Sequence, residues 1–361
     1  MLRSRTRSRR VGAALVALAL TAVFGAAIAG ARSSALVAYN VYPLVSDSSS
    51  VAAPLTDAAL VNGWGLSDTA TSPWWITNNK SSNSTLYTGV GSKNPIVVSV
   101  PGGPTGTVGN PSTTDFAVSQ NGVSGASRFL FDTTAGQILG WTPAVNATAA
   151  VVAVDSSAAG AEFTGLATLN DRLYAADFHN ATVDAFDATF KPLALGFSDP
   201  GMPKGWAPFG IQALNGNIFV TYAQQDPTGK FSVAGGGLGY VDEYTPDGVL
   251  VARIASKGTK RAPLDAPWGL AMAPANFGAY SGDLLVGNFG NGRISAYTPL
   301  SSGKWGYKGQ LRVANGTPIA LDGLWAIAFG NGAAAGPTNN LYFASGPVGQ
   351  SHGLFGFLAA G

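Results

Sequence analysis

The chain has 361 residues, of which 46% are hydrophobic and only 11% are charged, with 48 Gly, 21 Pro and no Cys. Ordinary domains contain about 25% charged residues, and a disordered chain needs more charge and fewer apolar residues than this one has. Coiled coils and long helical arrays need abundant Ala, Glu, Lys and Leu with little Gly. The composition therefore predicts a turn-rich, all-β globular protein, and the absence of Cys excludes disulfides, thiolate metal sites and thiol catalysis.

The N-terminus predicts an export signal over residues 1–31. Residues 1–10 contain five Arg and no acid, and residues 11–31 are apolar or small apart from Thr21. Small residues suited to cleavage end this segment, as Ala27-Ile28-Ala29 and Ala29-Gly30-Ala31. The alternative is an uncleaved membrane anchor, since 21 such residues can span a bilayer. Ser8-Arg9-Arg10-Val11 is a partial twin-arginine pattern, which would indicate export of the folded protein.

Removal of residues 1–31 reverses the sign of the net charge. It leaves 16 Lys and Arg against 19 Asp and Glu, a net charge of −3. The mature protein therefore offers no electrostatic basis for binding nucleic acid. We expect it to be secreted and monomeric, with no stable membrane insertion after cleavage.

A short phrase recurs about every 50 residues, which is a spacing typical of repeat architectures. It consists of a bulky residue, often a Gly, an apolar residue and then a short strand. We assign it to six positions: Trp64-Gly65-Leu66, the degenerate Phe116-Ala117-Val118, Thr164-Gly165-Leu166, Phe209-Gly210-Ile211, Trp268-Gly269-Leu270 and Trp325-Ala326-Ile327. Two further β-rich segments follow each copy, and a fourth follows five of the six. Four short antiparallel strands per unit are typical of a propeller blade.

The sixth unit lacks a fourth strand because the sequence stops at Gly361, just after its third. An unpaired blade edge would leave the ring open and exposed to aggregation. Residues 36–45 are apolar and aromatic, precede the first repeat and are the remaining strand candidate. We therefore predict an all-β, six-bladed β-propeller over residues 32–361 as one domain, whose last blade is completed by the N-terminal strand.

Segments spread over nearly the whole mature chain also carry a family resemblance. They are Leu44-Val45-Ser46-Asp47, Val61-Asn62-Gly63-Trp64-Gly65-Leu66, Ser72-Pro73-Trp74-Trp75, Ala266-Pro267-Trp268-Gly269-Leu270-Ala271, Gly287-Asn288-Phe289-Gly290-Asn291-Gly292 and His352-Gly353-Leu354-Phe355-Gly356. These segments resemble an exported bacterial family of uncharacterised function. The resemblance implies a six-bladed propeller related to NHL and lactonase-like repeats, and it brings no agreed set of catalytic residues.

Polar residues recur where the second strands of the units are predicted to end, at one mouth of the propeller channel. They are Asn78, Asp132, Asp177, Tyr222, Asn288 and Ser345. A ring of carboxylate and amide oxygens is what a hard cation such as Ca²⁺ requires, so Asp177 and Asn288 are candidate metal ligands. The alternative is that these side chains bond the backbone of their own turns, and that they recur because the unit recurs.

The two histidines are the candidate catalytic residues. Asp177 with His179 is the best local pair, and His352 is the other imidazole in the chain. A His general base beside a metal-bound substrate would support a hydrolase or a lyase. Trp206 falls in a predicted loop and is a candidate ligand contact, whereas most other tryptophans fall at repeat positions and are predicted to lie in the core between blades.

Three functional hypotheses follow. The leading one is a secreted propeller that binds a small molecule or an extracellular polymer at the channel mouth. The resemblance implies the second, a metal-assisted, Ca²⁺-type lactonase-like hydrolase or lyase acting through Asp177, His179, Asn288 and His352. The third is an interaction module that uses blade edges or loops. A propeller fold alone decides none of them.

Overall fold

A computed structural model describes residues 38–256 and 264–361. The regular structure in these residues is almost entirely β, in six sheets arranged in sequence around a central channel. The six-bladed β-propeller predicted from the repeats is therefore confirmed. Helical structure in the described residues is limited to single turns at Ser157–Ala159, Gly278–Tyr280 and Pro347–Gln350. None of these is long and apolar enough to cross a membrane, and the predicted export signal lies outside the described residues.

The strands are short, as expected for propeller blades. In chain order they are β1 (Tyr39–Ser46), β2 (Leu55–Thr56), β3 (Gly63–Ser67), β4 (Trp74–Asn78), β5 (Asn83–Tyr87), β6 (Lys93–Ser99), β7 (Pro104–Gly109), β8 (Ala117–Gln120), β9 (Val123–Ala126), β10 (Phe129–Thr133), β11 (Gln137–Trp141), β12 (Val151–Asp155), β13 (Phe163–Leu169), β14 (Arg172–Asp177), β15 (Thr182–Phe186), β16 (Pro192–Leu193), β17 (Trp206–Leu214), β18 (Asn217–Gln225), β19 (Ser232–Val233), β20 (Tyr240–Tyr244), β21 (Leu250–Ala255), β22 (Pro267–Met272), β23 (Leu284–Asn288), β24 (Ile294–Pro299), β25 (Trp305–Gln310), β26 (Leu324–Phe329), β27 (Leu341–Ser345) and β28 (Leu354–Ala360).

Each blade is an antiparallel sheet whose first strand faces the channel and contacts the first strands of its neighbours. From the innermost strand outward, blades 1 to 6 are β3-β4-β5-β6, β7-β10-β11-β12, β13-β14-β15-β16, β17-β18-β20-β21, β22-β23-β24-β25 and β26-β27-β28-β1. The hairpin β8-β9 is inserted in blade 2, β19 pairs with the end of β18, and β2 pairs in parallel with β1. The turns follow the sequence signals: Asn215 and Gly216, which join β17 to β18, both have positive φ, as a tight hairpin requires.

The ring is closed by the N-terminal strand, as predicted. β1 pairs antiparallel with β28 from Tyr39 opposite Ala360 to Ser46 opposite Leu354. Tyr39 is completely buried, and its hydroxyl donates to the carbonyl oxygen of Phe277 in blade 5 at 2.7 Å. The first strand thus completes the sheet of blade 6 and also attaches it to the preceding blade.

The recurring phrase marks the place where neighbouring innermost strands approach most closely. A Cβ atom at Gly65 would overlap the carbonyl oxygen of Thr105 in blade 2, and one at Gly210 would overlap that of Trp268 in blade 5. Backbone therefore packs on backbone around the channel, and any side chain at these positions would push two blades apart. The glycines recur because this contact recurs.

The second copy of the phrase was placed wrongly. The innermost strand of blade 2 is β7, with Gly106 at the close contact, so a Cβ there would overlap the backbone nitrogen of Leu166 in blade 3. Phe116-Ala117-Val118 instead leads into the inserted hairpin, and the Phe116 ring packs against Phe190. β7 contains no aromatic residue, so the second copy of the phrase has the Gly but lacks the bulky residue that precedes it in other copies.

Candidate functional site

Different strand ends lie at the two mouths of the channel. The innermost strands begin and the second strands end at one mouth, which we name the upper mouth. The innermost strands end at the other, the lower mouth. Loops between second and third strands therefore lie at the upper mouth, together with the segments that enter the innermost strands.

The upper mouth contains a cavity of about 430 Å³, which we name the upper cavity. All six blades contribute to its wall. One lining residue from each, in blade order, is Trp64, Thr134, Glu162, Phe209, Phe289 and Trp325. This volume lies in the range of roughly 300–1,000 Å³ that is usual for small-molecule sites.

Aromatic rings form the floor of the upper cavity. The Trp325 ring stacks on Trp64 with centroids 3.5 Å apart and on Phe289 with centroids 4.0 Å apart, and Phe209 packs against it at 5.7 Å. The Trp268 ring meets Trp325 edge-on at 6.1 Å. Since four rings from blades 1, 4 and 5 contact the one central indole of blade 6, the floor depends on Trp325.

Asn62 holds the central indole and two cavity amides in place. Its side-chain oxygen accepts from Nε1 of Trp325 at 2.9 Å, and its Nδ2 donates to the side-chain oxygens of Gln350 at 3.2 Å and Asn79 at 3.4 Å. Asn62 itself is completely buried. The amide oxygens of Asn79 and Gln350 are therefore directed toward Asn62, which fixes the orientation of both side chains.

Three charged side chains also line the upper cavity: Lys80, Glu162 and Lys230. Within the described residues, none of them makes a side-chain hydrogen bond or a close ion pair. Burial raises the pKa of Glu162, while the positive charges of Lys230 and His179 act in the opposite direction. Glu162 is one of only two Glu in the chain, and the pattern of strand-end residues did not predict it because it precedes an innermost strand.

The backbone at one edge of the upper cavity is strained. Val348, Gly349 and Gln350 have φ values of 57°, 61° and 66° in succession, and the last two line the cavity. A β-branched residue in the left-handed region is a genuine outlier. Strain of this kind concentrates at functional sites, where it costs on the order of 1–3 kcal/mol per residue.

The residues predicted at the ends of the second strands lie on the upper side, but each bonds within its own blade or to a neighbouring strand. Asp177 accepts from the backbone nitrogens of Glu162 and Asn180, both at 3.1 Å. The side-chain oxygen of Asn288 accepts from the backbone nitrogen of Asp265 at 2.9 Å. The remaining contacts are Nδ2 of Asn78 to Oδ1 of Asn83 at 2.7 Å, the hydroxyl pair of Tyr222 and Tyr244 at 2.7 Å, and Oγ of Ser345 to the carbonyl of Leu354 at 3.5 Å.

Asp132 is completely buried. Its Oδ1 accepts from the hydroxyl of Thr105 at 2.8 Å, and its other oxygen is buried without a partner among the described residues. Burial raises the pKa of Asp132 to about 7, although hydrogen bonds from Thr105 and from the backbone of Gly106 and Gly165 oppose the rise. Its contacts join blades 2 and 3.

The two histidines lie on the upper side, but neither lines the upper cavity. Nδ1 of His179 is 3.3 Å from the carbonyl oxygen of Gly229, beside the loop that carries Lys230. Nδ1 of His352 is 2.9 Å from Oδ2 of Asp47, at the junction of β1 and β28. His179 is therefore close to the candidate site, and His352 is part of the ring closure.

Trp206 does not lie in a loop. It is the first residue of β17, is only 6% exposed, and packs edge-on against Tyr240 with ring centroids 4.7 Å apart. The predicted loop position is wrong because the strand begins directly after Gly205, which has a positive φ of 83°. The ligand contact at Trp206 stays a prediction. The core positions predicted for Trp64, Trp74, Trp75, Trp268 and Trp325 agree with their burial.

A metal site at Asp177 and Asn288 remains a prediction. The oxygens of both side chains accept hydrogen bonds from backbone nitrogens. Across residues 38–256 and 264–361, no group of three or more His, Cys, Asp or Glu could hold a metal ion.

Comparison with known proteins identifies relatives of the chain. It is 31% identical to the uncharacterised protein R648 of Acanthamoeba polyphaga mimivirus over 310 residues, which cover 81% of this chain and 74% of R648. The chain belongs to the family of R648. A second relative is the uncharacterised protein R640 of the same virus, 32% identical over 219 residues. That match covers 59% of this chain and spans 40% of the length of R640.

Solved structures agree with this family member in fold. A protein of unknown function from Bacteroides thetaiotaomicron matches with a TM-score of 0.57 and 14% identity, over 89% of this chain and 76% of that one. The soluble aldose sugar dehydrogenase from Escherichia coli matches with a TM-score of 0.54 and 12% identity, over 90% of this chain and 100% of that one. No protein-family model matches this chain, so the resemblance to an exported bacterial family remains a prediction.

The lower mouth contains a smaller cavity of about 190 Å³, lined by residues that include Ser67, Asp68, Thr107, Thr168, Gln212 and Ala328. Burial raises the pKa of Asp68 to about 7. The lower cavity shares no lining residue with the upper cavity. The upper cavity is thus a bowl with an aromatic floor, suited to hold a ring compound and to bond its polar substituents.

Proposed function

We propose that this R648 relative is an exported propeller that binds a small polar molecule in the upper cavity. The observation that carries the proposal is the cavity itself, about 430 Å³ with a wall drawn from all six blades. Apolar surface with a few convergent polar groups is the usual composition of a ligand site. The strained turn at Val348 and the three charged side chains, which have no close partner among residues 38–256 and 264–361, lie around the same cavity.

The floor indicates what size of ligand fits. Trp64, Trp325 and Phe289 stack on one another beneath the cavity, and the two cavities have no wall residue in common. A polymer could not pass through such a floor without displacing it. A small molecule, or the end of an extracellular polymer, suits the bowl better than a strand threaded along the channel.

Tryptophan fluorescence tests this proposal, because Trp64 and Trp325 form the floor. We would titrate the protein with neutral, acidic and amino monosaccharides and follow emission, with calorimetry to confirm any binding. Phe289→Ala removes a half-buried ring from the floor and should weaken binding about tenfold or more. Asp68→Asn, at the lower mouth, is the matched control and should bind as the parent does.

Two results would contradict the proposal. One is the absence of saturable binding by every member of the panel. The other is an equal loss of affinity in Phe289→Ala and Asp68→Asn, which would place the ligand outside the upper cavity or make the loss a consequence of general destabilisation.

A metal-assisted hydrolase or lyase is the alternative, and it has its own test. Asp177 and Asn288 would hold the metal, and His179 would be the general base. The melting temperature of protein loaded with Ca²⁺ should then fall on addition of chelator, and Asp177→Asn should abolish that fall. Equal melting temperatures with Ca²⁺ and with chelator would reject the alternative and leave the binding proposal intact.

Export is part of the proposal and rests on the sequence of residues 1–31. Expression of the full chain in a bacterial host with an export pathway should yield protein in the medium or periplasm whose N-terminus begins after Ala29 or Ala31. Retention of an intact N-terminus in the membrane fraction would favour the anchor instead.

A further inference from the structure

We infer that the blade 1 side of the upper cavity is a subsite for a carboxylate, and that the ligand is a polyhydroxylated ring acid such as a uronic acid. The inference rests on the proposed function and specifies its ligand. It is carried by the juxtaposition of Lys80 with the amide groups of Asn79 and Gln350, all of which line the cavity.

The orientation of the two amides comes first. Asn62 donates its Nδ2 to the side-chain oxygens of both Asn79 and Gln350, and its own oxygen is occupied by Nε1 of Trp325. An amide whose oxygen already accepts a hydrogen bond has its NH₂ group left to donate. Within the described residues, neither NH₂ group has an acceptor.

The blade 1 side of the upper cavity carries positive charge only among the described residues. Lys80 follows Asn79 directly and has no acidic partner within the described residues, whereas Lys93 and Lys308 are paired with Asp57 and Asp283 at 2.8 Å each. Lys80 and the two NH₂ groups are all hydrogen-bond donors. A cavity wall with donors and a positive charge, and with no acid, favours an anion.

The opposite side of the cavity differs. Blade 4 lies across the ring from blade 1 and carries Lys230, whose charge interacts with that of Glu162 on blade 3. This pair nearly cancels in charge, and it offers an acceptor and a donor together. Hydroxyl groups both donate and accept hydrogen bonds, so they can bind to such a pair. The upper cavity therefore has a site for an anion on its blade 1 side and a site for hydroxyl groups on the opposite side.

The aromatic floor provides the surface that the ring of the ligand contacts. The Phe289 ring is half-buried at the cavity and lies between the two sides, stacked on Trp325. A ring compound can lie on this surface with its acidic group toward Lys80 and its hydroxyls toward Glu162 and Lys230. A uronic acid has this arrangement of groups.

The test compares glucuronate, glucose and glucose 6-phosphate by tryptophan fluorescence and calorimetry. Glucuronate should bind about tenfold more tightly than glucose at low salt, with the difference reduced by added NaCl. Lys80→Met should remove most of the preference for glucuronate over glucose. Lys304→Met, at an exposed lysine that makes no ion pair within the described residues and does not line the cavity, is the matched control and should change neither affinity.

Asn62→Asp tests the amide orientation without emptying the position. The carboxylate still accepts from Trp325, but it repels the oxygens of Asn79 and Gln350, so both amides should turn and present oxygens to the ligand. The preference should then fall below that of the parent while glucose still binds. Asn62→Asp with an unchanged preference would overturn the positioning role.

Three results would overturn the carboxylate subsite. The first is equal affinity for glucose and glucuronate, which would leave the proposed function standing. The second is a preference for glucose 6-phosphate that depends on Lys80, which would replace the carboxylate with a phosphate. The third is that none of the three sugars binds while another class of small molecule does.

Discussion

The upper and lower mouths are built from opposite ends of the same six innermost strands, yet their chemistry differs. The upper mouth has stacked aromatic rings, three charged side chains without close partners in the described part of the chain, and a turn with three left-handed residues. The lower mouth has a cavity less than half as large, whose lining includes hydroxyl side chains, Trp74 and one half-buried acid, Asp68. The repeat builds both mouths, but the bulky residues of the phrase all lie at the upper one. A repeat protein can therefore concentrate charged and stacked aromatic side chains at one mouth of the channel, although the same repeat builds both mouths.

Removal of β1 should have the largest effect, because both mouths need a closed ring. Deletion of residues 1–46 leaves β28 unpaired and removes buried Tyr39 and Val45. We expect a loss on the order of 5 kcal/mol or failure to fold. Thermal melting followed by circular dichroism measures this. Deletion of residues 1–37 retains β1 and is the control; equal melting temperatures for the two truncations would contradict the closure role.

Trp325→Ala should damage the upper mouth alone. Trp325 is 2% exposed and is the ring on which the floor is stacked, so its loss should cost about 3–5 kcal/mol and abolish ligand binding. Trp75→Ala removes a ring buried to a similar degree that stacks on Phe129 away from the cavity. The two variants should melt similarly while only Trp75→Ala retains binding. Loss of binding in both would show that the floor has no special role.

The pH dependence of stability should distinguish the buried Asp132 from the half-buried Asp68. The pKa of Asp132 is raised to about 7 in the folded protein, against about 3.9 when unfolded. The folded state binds the extra proton between these values, so stability should fall as the pH rises from about 4 through 7. Asp132→Asn should flatten this fall and stabilise the protein at pH 8 by on the order of 2 kcal/mol.

Asp68→Asn is the counterpart of this variant at the lower mouth. Its pKa is also raised to about 7, but the side chain is less buried than that of Asp132. The same sign and a smaller effect are expected when melting temperatures are compared at pH 5 and pH 8. A parent whose stability rises over that interval, or an Asp132→Asn variant with an unaltered slope, would contradict both assignments.

The smallest effect is expected at the strained turn. Val348 is 60% exposed and has a φ of 57°, a conformation that Asn adopts far more readily than Val. Val348→Asn should therefore stabilise the protein by about 1 kcal/mol. Val123→Asn, at an exposed strand position without positive φ, should be neutral or slightly destabilising. Chemical denaturation has the resolution for this comparison, and a destabilised Val348→Asn would mean that the turn is not strained.

The sequence predicts the six-bladed ring, whereas the residues that line the upper cavity carry little sequence signal, for physical reasons. The Gly of the recurring phrase marks a close backbone contact between neighbouring innermost strands, as at Gly65, Gly210 and Gly269. The phrase therefore predicts five of the six innermost strands and misses β7, which has the Gly but no aromatic residue. The strand-end residues were located too, but a buried polar group must be satisfied nearby, so Asp177 and Asn288 bond adjacent backbone.

The residues that line the cavity carried a weaker signal. Asn79 and Lys80 follow the strand end at Asn78, and Glu162 precedes an innermost strand. No spacing rule distinguishes such loop residues from ordinary solvated ones. Their convergence depends on the loops of several blades together, which a pattern within one unit does not contain.

The glycine contacts also set a limit on how this scaffold can change. Neighbouring innermost strands are in close backbone contact at Gly65, Gly106, Gly210 and Gly269. The diameter of the channel therefore cannot be changed by substituting side chains at these positions. New specificity has to be acquired in the loops that crown the ring. Substitutions in the channel wall should therefore yield few functional variants. A directed-evolution library should be confined to residues 79–80, 228–232 and 347–350.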